Sequence, residues 1–288
     1  MSRVAIVTDS ASDLDPKRAA ELGVAVVPLA VSFGSEQFKA GVDLSTEAFW
    51  ARMTAPDAPF PKTAASSPGD FQAVYERLFA DGFDAIVSIH VAGTLSGTIK
   101  SAEVAKGLLA RGLLAGRDIE IVDSTSASMG EGLLAEIALD LAGRGVSAAE
   151  IARILRDRAA DLNLFVALDT LEYLKRGGRI SGAQAAMGTL LSVKPIITIK
   201  DGAVETAERV RTRSKARERV IELLTSRPVE RLAILSTPPS EPDSFREEVI
   251  ARMPDGVDPA AVTIQIIGPS VGPHLGPGCL GGVVLYRR

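Results

Sequence analysis

The sequence predicts an α/β protein of two domains, residues 1–161 with a mostly parallel sheet and residues 162–288 with a mixed sheet. Three observations carry that expectation. In the first half, short apolar β-branched runs alternate with stretches of helical spacing, the rhythm of a parallel sheet. The rhythm changes after about Ala160 to Asn163, where strand-like runs begin to follow one another. Among these, two runs flank Asp201-Gly202, a strong hairpin signal that introduces antiparallel pairing.

In chain order, Val4 to Val7 reads as a buried strand ending at Thr8-Asp9-Ser10-Ala11-Ser12-Asp13. Asp13 or Asp15, with Pro16 in the first turn, opens a helix to Leu22. Val24 to Phe33 reads as one strand in which Pro28 marks an edge or an irregularity. Gly34 to Asp43 is a loop or hairpin, and Ser45 or Thr46 starts a helix carrying Phe49, Trp50 and Met53. A Pro-rich segment, Pro56 to Pro68, holds Thr63, Ser66 and Ser67. A helix then runs to Ala80 with Phe71, Val74, Tyr75 and Leu78 on one face.

Ala85 to Val91 is a wholly apolar strand apart from Ser88 and His90, and it runs into Ala92-Gly93-Thr94-Leu95-Ser96-Gly97-Thr98. A helix follows from Ile99 through Ala110. Hydroxyls thus sit where a strand hands over to a helix, beside backbone N–H groups that lack partners and carry partial positive charge. Such a place suits a carboxylate or phosphate, although spacing alone favours Ser96 or Thr98 as no more than a helix cap. Ile119 to Val122 ends in Asp123-Ser124-Thr125-Ser126, echoing Asp9-Ser10-Ala11-Ser12. Both acids are either caps or contributors to one crevice beyond the carboxyl ends of the strands. Helices from Ser128 to Ala142 and from Ser147 to Ala160 complete this half.

In the second half, Leu164 to Leu168 is a strand and Leu171 to Ile180 a short helix with a basic Gly turn, Lys175-Arg176-Gly177-Gly178-Arg179. Ser192 to Thr198 and Ala203 to Arg209 form the hairpin, and a basic run from Arg211 to Arg219 opens a helix to Leu224. Leu232 to Ser236 and Val262 to Ile267 are strands about a helix near Ser244 to Met253. A rigid loop, Gly268 to Gly278, carries His274, and Val283 to Tyr286 is the last strand.

Composition narrows the function. The chain is 46% hydrophobic, ordinary for a globular protein, and its net charge of −4 without a basic tail argues against nucleic acid. The single Cys279 permits no internal disulfide, which fits a reducing, cytoplasmic setting. No signal peptide is evident, and no apolar stretch approaches the ~20 residues of a membrane span. Gly276, Gly278 and Gly281 satisfy G-x-G-x-x-G, but too little chain follows for a dinucleotide unit. Two histidines and one cysteine far apart make zinc an unlikely ligand, and no metal or cofactor is expected. Ser96, His274 and Asp9 or Asp123 could form a hydrolase triad acting on acyl esters, yet no G-x-S-x-G elbow surrounds any serine.

Several motifs, taken in order, resemble the DegV family of bacterial fatty-acid-binding proteins. They are Thr8-Asp9-Ser10, Lys62-Thr63 with Ser67-Pro68-Gly69-Asp70-Phe71, and Leu95-Ser96-Gly97-Thr98 with Ser101-Ala102. Asp123-Ser124, Leu171 to Ile180, Lys194-Pro195 and Gly268 to Gly278 continue the series over essentially the whole chain. The sequence departs from the family pattern at Ala64, Ala92 and Gly93, where the family often has serine. The resemblance implies a fatty acid clamped between two domains, its carboxyl group presented to a separate kinase subunit that makes the acyl-phosphate. It implies that Thr63 and Ser96 hold the carboxylate, that His274 supports them, and that Gly97, Asp9 and Ser10 lie close behind. Arg176, Arg179, Arg209 and Arg211 would face the kinase or the phosphate near the exit. A carrier needs Ser96 only as a donor, whereas a hydrolase needs it activated. A third reading, a lipid sensor, would call for an output domain that the chain does not show.

Overall fold

A computed structural model describes residues 3–109, 117–180, 193–253 and 258–288. The first sheet is four-stranded and parallel throughout, in the order β2 (Ala25–Val27), β1 (Val4–Asp9), β6 (Ala85–His90), β7 (Asp118–Asp123). β6 is buried at every residue, as a central strand covered on both faces must be. The second sheet is six-stranded and mixed, in the order β10 (Ala203–Val210), β9 (Lys194–Lys200), β8 (Leu162–Ala167), β13 (Leu280–Tyr286), β11 (Val229–Ser236), β12 (Thr263–Ile266). Only β11 and β12 run parallel there. The α/β class with a parallel and a mixed sheet is therefore as expected from the sequence. Asp201 and Gly202, both at positive φ (50° and 76°), make the turn of the β9–β10 hairpin.

Two expectations are corrected. Val24 to Phe33 is not one strand: the chain leaves the parallel sheet after Val27, and β3 (Ala30–Phe33) joins a separate antiparallel sheet. Pro28 has no N–H to continue a ladder, and the Leu29 N–H instead donates to Ser10 Oγ at 2.8 Å. The small sheet is β4 (Glu36–Lys39), β3, β5 (Lys62–Ala64), so the Pro-rich segment contains a strand that its composition hid. The loop from Gly268 to Gly278 likewise contains one helical turn, Gly272–Leu275. The expected ends at Ala110 and Ser192 fall outside the described residues.

Helices α3 (Pro68–Ala80) and α4 (Thr98–Leu109) cover one face of the parallel sheet with Phe71, Tyr75, Leu78, Ala102 and Ala105. α5 (Met129–Gly143) and α6 (Ala148–Ala159) cover the other. α5 is apolar nearly all round because it also packs on β8, β11 and β13 of the mixed sheet. One continuous core thus runs from Ile6 and Val87 through Leu134 to Val166, Leu235 and Val283. The helices Arg213–Leu224 and Pro242–Ala251 close the outer face of the mixed sheet with Val220, Leu224 and Phe245. No helix among the described residues is long and apolar enough to cross a membrane.

Candidate functional site

The carboxyl ends of β1, β6 and β7 bring the 10–12, 91–97 and 124–128 loops to one edge, the usual ligand side of a parallel sheet. Across from them stand β5, the β9–β10 hairpin and the 268–278 loop. Between lies a largely apolar cavity that is partly open to solvent, the kind of concavity that small-molecule ligands occupy. Its walls are chiefly aliphatic, from Leu29, Val91, Leu95, Ile197, Val204 and Leu235. Its polar groups are few: Thr63, Ser96, Ser128, Arg179, Ser270 and His274.

Thr63 and His274 meet directly, Oγ1 to Nε2 at 3.0 Å. Burial, aided by the nearby Arg179 charge, pushes the His274 pKa down to about 4, so the ring is neutral at pH 7. Nδ1 finds no hydrogen-bond partner among the described residues. A buried acceptor left bare costs less than a buried N–H left bare, which assigns the proton to Nε2. Nε2–H then donates to Thr63 Oγ1, and the threonine O–H is left to point at a ligand. Ser96 lines the same cavity, and its Oγ pairs with Thr98 Oγ1 at 2.8 Å and accepts the Thr98 N–H at 3.3 Å. Ser96 therefore is both a turn-former and a cavity hydroxyl. It makes no bond to an imidazole, so the Ser96–His274 pair that a hydrolase would need is not formed.

Arg179 belongs to the cavity wall. It is half-buried and donates through Nε to Leu95 O at 3.2 Å and through a terminal nitrogen to Gly177 O at 2.6 Å. Arg176 is exposed, with its guanidinium 4.0 Å from the centre of the Phe60 ring. Arg209 and Arg211 are exposed and lie outside the cavity wall. Gly97 is exposed on the 91–97 loop. Ser10 bridges the two halves, pairing with Ser270 Oγ at 2.8 Å. Asp123 caps no helix; Oδ2 accepts the Gly93 N–H and Oδ1 the Thr125 N–H, which fixes the two loops together.

Asp9 belongs to a buried network that sequence reasoning missed. Its Oδ1 accepts the Ala11 N–H, and its Oδ2 meets His90 Nδ1 at 3.1 Å and the Val91 N–H at 3.3 Å. His90 continues to Ser88 and Tyr75. Glu131 Oε1 accepts from Thr8 Oγ1 at 2.5 Å and from the Asp9 N–H at 3.1 Å. Ligating atoms of Asp9, His90 and Glu131 lie within 4.8 Å of one another, but their lone pairs and protons are largely spent on each other and on the backbone. The network's sequence signals are a glutamate in the otherwise apolar run from Met129 to Leu134 and the polar Ser88 and His90 in an otherwise apolar strand.

Asp13 Oδ1 accepts the Gly268 N–H at 2.8 Å, joining the first strand's loop to the loop that carries His274. Burial pushes its pKa from 3.8 up to about 7. The folded protein therefore keeps a proton that the unfolded chain has lost between those two values. That stabilisation is complete below pH 3.8 and is lost as pH rises through about 7. Asp13→Asn, which retains the acceptor, should be free of this loss. Urea melts should show its stability relative to the unaltered protein rising by roughly 4 kcal/mol between about pH 4 and pH 8. A difference that stays flat with pH would refute the burial argument.

The comparisons agree with this architecture. Residues 3–287 match the family model described as "Uncharacterised protein, DegV family". A DegV domain-containing protein of Streptomyces coelicolor is 35% identical over 292 residues, covering 100% of both chains. A fatty-acid-binding DegV family protein from Thermus thermophilus superposes with a TM-score of 0.86 at 33% identity, over 99% of this chain and 100% of its own. A stearic-acid-binding protein from Eubacterium ventriosum does so with a TM-score of 0.87 at 28% identity, over 99% and 98%. With the family model spanning nearly its whole length and these relatives matched end to end, the chain belongs to the DegV family.

Proposed function

We propose that this protein binds one long-chain fatty acid in the cavity between residues 1–161 and 162–288 and acts as a carrier rather than an enzyme. The observation that carries the reading is the composition of the cavity: an aliphatic interior with a single cluster of carboxylate donors at Thr63, Ser96 and Arg179. A carboxylate there receives O–H groups from Thr63 and Ser96 and a compensating charge from Arg179, whose described hydrogen bonds go to backbone carbonyls. His274 holds the Thr63 hydroxyl in register without competing for the anion. At ~0.8 kcal/mol per buried CH₂, about 14 methylenes gain roughly 11 kcal/mol before ordering costs, enough for tight binding. The fatty-acid-binding relatives support the ligand class. The family resemblance supports a further step, presentation of the carboxyl group to a kinase subunit, with exposed Arg176, Arg209 and Arg211 as its contacts. The hydrolase reading through Ser96 and His274 has no bond between the two to support it, and the Ser88–His90–Asp9 chain is buried outside the cavity lining.

Organic extraction and mass spectrometry of the purified protein should yield a fatty acid of roughly 14–18 carbons, a length the burial arithmetic allows. Repeated absence of lipid, with no uptake of added palmitate, would overturn the reading. Thr63→Val keeps the shape and removes the O–H, so affinity should fall roughly tenfold to a hundredfold, the usual worth of a hydrogen bond to a charged group.

A further inference from the structure

The strands β8 and β9 come apart beside the cavity. Among the described residues they pair only at Val166 with Ile197 and Ala167 with Ile196. β9 stays paired with β10 along its whole length, from Lys194 to Lys200. From Thr198 onward the hairpin therefore leaves the sheet and crosses to the loops of the first half. Its tip is held there by the Thr94 hydroxyl, which donates to Gly202 O. Strand alternation turns Ile197 and Ile199 to one side, and both line the cavity.

The two isoleucines differ in what lies behind them. Ile197 is 2% exposed and packs into the continuous core. Ile199 is half-buried and borders a second cavity, whose lining includes Asp123, Arg156, Asn163, Lys200 and Asp201. Among the described residues it is the one side chain common to both cavities. The second cavity is partly open to solvent and carries charges of both signs, so hydrocarbon gains little there. Elsewhere the aliphatic wall is thick: Val91, Leu164 and Leu235 are buried members of packed clusters. A chain too long for the cavity finds no passage through them. At Ile199 the wall is a single side chain.

We propose that Ile199 is the stop that sets the longest acyl chain this cavity accepts. This deepens the fatty-acid reading and rests on it. Ile199 packs with Ala11, Leu29, Val91 and Ala127 from the first half, and Thr94 fixes the hairpin tip that carries it. A chain that fits keeps its methyl end within aliphatic walls. A longer one has to displace Ile199 or fold back on itself, and loses affinity as an overfilled core loses stability. Removing the side chain joins the two spaces, and surplus methylenes then pass into the second cavity without a clash.

The test is competitive binding to the delipidated full-length chain, with saturated fatty acids of increasing length displacing a fluorescent fatty acid. In the unaltered protein affinity should rise with each carbon to a limit and then fall roughly tenfold. In Ile199→Ala the limit should move outward by more than the space of about three carbons that the substitution vacates. Ile197→Ala vacates the same space on the same strand and face with core behind it, and should move the limit by about three carbons or fewer. If that control does not fold, Val204→Ala, opposite Ile199 on β10, takes its place. If Ile199→Ala does not fold, Thr94→Val, which frees the hairpin tip, should likewise carry the limit outward. The proposal is refuted if the unaltered protein shows no limit, or if the limit moves no further than in the control. Failure of every fatty acid to bind the unaltered protein would be a different result, overturning the fatty-acid reading and the stop with it.

Discussion

Gly177→Ala is expected to cost the protein most of its affinity for fatty acid while leaving it folded. A Cβ at this position would lie 2.2 Å from His274 Nδ1 and 3.0 Å from Cε1. Gly177 has φ −74° and ψ −11°, so alanine meets no backbone penalty and the whole effect is steric. The imidazole has to retreat, and its Nε2 contact with Thr63 at 3.0 Å is the bond that breaks. Overpacking of this kind costs ~1–3 kcal/mol in stability. Release of the Thr63 hydroxyl from its orientation adds roughly a tenfold to hundredfold loss in binding. Gly178→Ala is the control, because nothing lies within 4 Å of its Cβ and its cost is confined to a φ of +68°. Titration of palmitate into both variants decides the matter: equal affinities would show that the ring does not position Thr63. Combined with Thr63→Val, Gly177→Ala should add little, since both act on one contact.

Replacing Glu131 separates two roles of a buried acid. Burial and the neighbouring Asp9 charge raise its pKa well above the usual carboxylate range. Because the folded value is raised, its stabilising proton is held below the unfolded pKa and is lost as pH rises through the folded value. Glu131→Gln reproduces the protonated acid, keeps an oxygen for Thr8 and the Asp9 N–H, and cannot lose the proton. It should match or exceed the unaltered protein in stability, most clearly at high pH. Glu131→Ala strands the Thr8 hydroxyl and the Asp9 N–H in the core and leaves a void between β1 and α5. The expected loss is roughly 3–5 kcal/mol, enough to threaten folding. Denaturant melts that ranked alanine and glutamine alike would remove the basis for this network.

The parts legible in the sequence are those set by local pattern. β6 shows itself by an apolar run, α3 by spacing and by Ser67, whose side chain meets the Asp70 N–H, and the β9–β10 turn by Asp201-Gly202. Thr63, Ser96 and His274 were named from family motifs, and the cavity does gather them. The strand Lys62–Ala64 was hidden because three residues between prolines carry no periodicity, and only pairing with β3 defines them. The place of Arg179 in the cavity wall was not legible, because composition counts charges but cannot show that a turn folds inward. Gly177 read only as part of a basic Gly turn; the structure shows that it leaves clearance for a ring contributed from almost a hundred residues away. Glu131 gains its meaning only from the atoms that surround it.

The position of α5 bears on how a ligand leaves. Its apolar surface is shared by both sheets, so parting them would open the one core that spans both. At ~25 cal/mol for each Å² of apolar surface exposed, that is the costlier way to release a ligand. On the fatty-acid reading proposed above, a tail that instead slides out lengthwise returns its methylenes to water in turn, and residence time should then lengthen with every carbon added to a chain that the cavity accepts.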